Sequence, residues 1–147
     1  MFDLQTRLFH NVLDGIADDA AATQQNPNAN HIKFLAGHLV YTRMMLKDFA
    51  GLPEDARFAP FAKNMDANGS YLPMADIMAK WDEIAGPLGN ALKNLPAEVL
   101  AGPGPFASPM GATMEEVLGF FMHQEAYHLG QLGLLRKFAG QEAMKYN

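Results

Sequence analysis

The chain has 147 residues, a net charge of −5 and no cysteine. That length suits one domain with a proper core, and 49% apolar against 18% charged residues is a globular composition, not a disordered one. Without cysteine there are no disulfides, no thiolate metal sites and no cysteine nucleophile, and an acidic chain with no cluster of Lys and Arg argues against a nucleic-acid partner.

No apolar run approaches the roughly 18–20 residues that span a bilayer, so no membrane partner is expected. The start, MFDLQTRLFHNVLDG, has no basic segment followed by an apolar block, and the expected compartment is the cytoplasm. The ten methionines read as adaptable fillers of a helical core.

Phe2 to about Thr23 reads as a first helix, with Leu4, Leu8, Asn11, Val12 and Gly15 recurring at three- and four-residue steps. Asn26-Pro27-Asn28 turns the chain. Asn30 is the expected N-cap of a second helix reaching about Ala50, whose inner stripe includes Phe34, Leu35, His38, Tyr41 and Met45. Gly51 and Pro53 end it. Residues 51–72 form a long connection in which Phe58, Phe61 and Tyr71 predict aromatic anchoring.

A third helix begins near Pro73 and runs to about Leu95, with Pro87 expected to kink or break it. Residues 96–112 read as a second irregular crossing with one helical turn at Ala97–Leu100, and no strand alternation is credible anywhere. Thr113 and Glu116 form a capping box that opens a fourth helix, ended by Gly140. Four long amphipathic helices predict an all-α chain: a single four-helix bundle over residues 1–147, its long connections serving as crossovers.

The fourth helix carries the candidate chemistry. At about 100° per residue, His128 shares the inner face with Val117, Phe121, Leu132 and Leu135, and Gln124 and Glu125 flank it. His38 occupies the middle of the inner stripe of the second helix. Inward histidines on two helices are how bundle cores build metal sites, although an imidazole on an apolar face is commonly just a hydrogen-bonded core residue. His123 lies about 140° from His128. The HQEAYH run is one residue too long for the zinc-protease pattern, which is rejected. His123 instead joins a seam with the small residues Gly119, Ala126, Gly130 and Gly133, suited to close approach of another helix within the chain or from a second subunit. Glu125 reads equally as a catalytic proton carrier or as an ion-pair partner of Arg43 or Arg136.

Ala36 to Arg43 (AGHLVYTR) and His123 to Lys137 (HQEAYHLGQLGLLRK) resemble the second- and last-helix signatures of the DinB/YfiT-like superfamily. The resemblance implies a four-helix bundle, commonly a homodimer, with a divalent metal such as zinc or nickel held by three histidines. It also implies a thiol-linked transferase or related activity in some members and no known activity in most. Carried over by position, His38 is the second-helix ligand and His128 the second ligand of the last helix. Gln124 stands where the resemblance places the remaining histidine. A neutral amide is the weaker ligand for such metals, so two expectations follow. One is an altered site of His38, His128 and Gln124, with Glu125 beside it, acting on an unknown small molecule in a transferase or hydrolase. The other is a metal-free dimeric binding or stress-related bundle without catalysis.

Overall fold

The structure is a computed structural model describing residues 1–146. Helix α1 (Phe2–Leu13) stops where Asp14 turns extended and Gly15 takes φ +73, a left-handed conformation that glycine tolerates and side chains resist. The chain then forms a short helix α2 (Asp18–Ala22), so the single first helix expected to Thr23 is two. Helix α3 (Ile32–Met44) is capped one residue later than expected. The cap is His31, whose Nδ1 accepts the Phe34 N–H at 2.9 Å, not Asn30. Burial holds the His31 imidazole below its ordinary pKa, which keeps that nitrogen an acceptor.

A 3-10 turn (Lys47–Ala50) follows α3, and a second (Ala56–Phe61) lies inside the connection to α4. The aromatic anchoring is present: Phe61 packs against Phe34, Phe58 and Tyr71 at centroid distances of 6.1, 5.7 and 5.2 Å. Helix α4 (Met74–Lys93) runs through Pro87 without a break. Glu83 and Pro87 both lie on the exposed face, where water can serve the carbonyl that loses its N–H partner.

The crossing after α4 contains the predicted turn, as α5 (Ala97–Ala101), and then an antiparallel hairpin that was not expected. Strand β1 (Pro103–Ser108) pairs with β2 (Gly111–Thr113) and lies along the last helix. It opens Pro-Gly-Pro and carries no β-branched residue, so Phe106 is its one residue of a strand-favouring type. Helix α6 (Met114–Phe138) opens with the predicted capping box: Thr113 Oγ1 accepts the Glu116 N–H, and Glu116 Oε2 accepts the Thr113 N–H at 2.9 Å.

The four long helices make their main contacts in a ring, α1 with α6, α6 with α3, α3 with α4 and α4 with α1. Helices α1 and α3 are therefore diagonal, as are α4 and α6. Segments 14–31 and 94–113 are the crossovers, whereas the long connection after α3 joins neighbours. The main core gathers Phe9, Leu35, Leu39, Trp81, Leu129 and Leu132. A second cluster around Leu46, Leu88, Val117 and Phe121 lies towards the hairpin, with Phe106 packed on it. No helix among the described residues is long and apolar enough to cross a membrane.

Candidate metal centre

Because α3 and α6 are neighbours, their inner faces bring His38 and His128 together. The two half-buried rings meet edge to face, centroids 5.0 Å apart at 83°. His38 stacks on Phe34 one turn earlier in α3, at 6.0 Å and 15°. Its neighbour Gly37 has no side chain for a reason: a Cβ there would sit 2.2 Å from the Phe61 ring. That close approach brings the backbone of the 3-10 turn to His38, whose Nδ1 is 2.8 Å from the Phe61 carbonyl oxygen.

A carbonyl can only accept, so Nδ1 of His38 carries a proton, and the neutral tautomer that this contact selects has its lone pair at Nε2. Gln124 faces that nitrogen, with its amide Nε2 at 3.2 Å. His128 has the same arrangement one helix away. Its Nδ1 is 2.8 Å from Gln131 Oε1, which assigns the proton to Nδ1 and the lone pair to Nε2. Gln131 in turn donates to the Tyr127 hydroxyl at 3.2 Å, and the Tyr127 ring lies edge to face with His128. Burial, with the neighbouring His38, holds the His128 imidazole below its ordinary pKa against the opposing hydrogen bond to Gln131. A carbonyl partner on Nδ1 is the usual orienting contact of a histidine that ligates through Nε2.

The donor set therefore fits a divalent ion through two imidazole nitrogens. Gln124 could add a third donor only through Oε1, which needs its amide reversed from the orientation found. Among the described residues, no group of three or more His, Asp or Glu side chains gathers closely enough to hold a metal.

Glu125 stands elsewhere. It is 2% exposed, and Arg43 grips both of its oxygens, Nε to Oε1 at 2.6 Å and Nη2 to Oε2 at 3.0 Å. Burial holds the Glu125 carboxyl above its ordinary pKa, against the opposing hydrogen bond and charge of Arg43. Arg43 also donates to Thr6 Oγ1 at 2.8 Å and lies 3.7 Å over the Trp81 ring. Of the two roles read for Glu125, the geometry shows the ion pair, with Arg43 as the partner. Of the glycines in the small-residue seam, only Gly119 meets another part of the chain closely, the Met110 side chain 3.2 Å from where its Cβ would be. Ala126 and Gly130 are exposed, and a Cβ at Gly130 or Gly133 would meet nothing within 4 Å.

Gln131 and the Phe61 carbonyl complete the site, and neither was anticipated. Gln131 sits three residues after His128, a spacing that puts helical side chains in reach; a backbone carbonyl leaves no trace in the residue types.

A ring of four long helices with an imidazole pair between its neighbours α3 and α6 defines a bundle protein with a candidate metal centre. The family model of the DinB superfamily matches residues 1–132, and the chain belongs to that superfamily. No curated protein matches it.

Proposed function

We propose that His38 and His128 hold one divalent metal, zinc or nickel, through their Nε2 atoms, and that the protein is a transferase or hydrolase acting on a small molecule such as a thiol. One observation supports this reading: both rings have Nδ1 turned to a carbonyl oxygen, so both present an Nε2 lone pair at one seam, that of His38 facing the Gln124 amide, which a bound ion would displace. A bound ion would act as a Lewis acid and lower the pKa of a coordinated water or thiol. The chain's own part is to favour the neutral form of His128 by burial, fix the tautomers of both rings and leave the remaining positions to substrate. Gln124 is the residue that weakens the site, because it offers an amide where imidazole binds better.

Titration calorimetry of untagged, chelator-treated protein with zinc or nickel tests this. One equivalent should bind to the wild type, His38→Ala and His128→Ala should each abolish binding, and Gln124→His should tighten it by roughly tenfold or more. Wild type that takes up no metal, with His38→Ala indistinguishable from it, would sink the proposal. It would favour the second reading, a metal-free binding bundle, which the amide N–H of Gln124 facing His38 Nε2 supports.

A further inference from the structure

A cavity of about 410 Å³ opens between the loop at 25–30 and the C-terminal half of α6. Its floor is apolar, with Leu35 of α3 and Leu134 and Phe138 of α6. Leu134 and Phe138 are large apolar side chains left 54% and 61% exposed. Its rim is built of carboxamides, among them Asn28 and Asn30, and Gln131 closes the end nearest His128. Among the described residues, no charged side chain lines this cavity.

The loop that forms the rim is held in shape. Gln24 Nε2 donates to the carbonyls of Pro27 and Ala29, at 3.2 and 2.8 Å, and Asn26 Oδ1 accepts the Asn28 N–H at 2.8 Å. Among the described residues, the side-chain amides of Asn28 and Asn30 make no hydrogen bond.

An apolar floor with a few convergent polar groups, at a volume of several hundred Å³, is the make-up of a small-molecule site. A carboxamide both donates and accepts, so it serves groups that do the same, amides and hydroxyls. An ion entering this cavity would lose hydration with no counter-charge to meet it.

We infer that this cavity binds an uncharged small molecule with an apolar body and amide or hydroxyl groups. Through Gln131, its occupancy is coupled to His128. That the cavity is the substrate end of the metal centre rests on the function proposed above; that it binds such a ligand does not.

The test uses metal-free protein labelled with ¹⁵N, titrated with N-acetyl-L-leucinamide and separately with the anion N-acetyl-L-leucinate. The side-chain amide signals of Asn28, Asn30 and Gln131 and the ring signals of His128 should move saturably with the neutral ligand. The anion should bind about tenfold more weakly or worse, and so should the neutral ligand to Leu134→Asp, which puts a charge on an exposed part of the floor. Equal binding of the anion, or no saturable movement, would overturn the inference. Signals that follow protein concentration and not ligand would also overturn it and assign the face to a second copy of the chain. Metal uptake is read separately, so loss of either result leaves the other standing.

Discussion

A carbonyl oxygen can only accept, and at the α3–α6 seam that decides what each histidine offers. Phe61 O and Gln131 Oε1 accept hydrogen bonds from the two Nδ1–H groups and leave the lone pairs at Nε2, where the Gln124 amide faces that of His38. Neutral rings are needed for this, and burial supplies them at His128, as it does at the cap residue His31. Both have folded-state pKa values below the ordinary 6.5. Below that pH the unfolded chain takes up protons that the folded chain refuses. The stabilisation these groups give is therefore complete above about 6.5 and is lost as pH falls through their folded values. Urea midpoints followed by the fluorescence of Trp81, the single tryptophan, should drop as pH goes from neutral to about 5. The drop should be smaller in His31→Asn, which keeps a capping acceptor without a titrating group.

Helices α3 and α6 are joined by a buried ion pair. Arg43 and Glu125, each 2% exposed, join the two helices and reach α1 through Thr6 and the Phe2 carbonyl. Arg43→Met or Glu125→Leu alone strands a buried charge and should cost about 3–5 kcal/mol in denaturant titrations. The double variant should recover most of that loss, because a buried pair replaced by apolar side chains of similar size is often neutral. Equal, additive losses would contradict this role. The same elements show how far residue patterns reach. The capping box at Thr113 and the inner stripes carrying His38 and His128 are local, and they were readable. The Gly15 break and the hairpin were not, because a left-handed φ and a Pro-Gly-rich strand depend on what packs against them. Glu125 was ambiguous for a like reason: its partner comes from another helix, and its own spacing suits both roles. Gln124 was readable as the altered position, but the direction its amide faces was not.

At the scale of the molecule, the ring order explains why the site lies where it does. The crossovers at 14–31 and 94–113 carry the chain across the diagonals and leave α3 beside α6. The connection after α3 returns along that helix and delivers the Phe61 carbonyl to His38, with Gly37 giving it room. The centre thus draws on three separate stretches, α3, the 3-10 turn at Ala56–Phe61 and α6, so only the folded bundle assembles it. The most direct measurement is ¹⁵N–¹H NMR of the imidazole rings, which reports which nitrogen carries the proton. Both His38 and His128 should be Nδ1-protonated with an unprotonated Nε2, and one equivalent of zinc should move both Nε2 signals together. An Nε2 proton in either ring, or Nε2 signals unmoved by zinc, would contradict a metal centre at this seam.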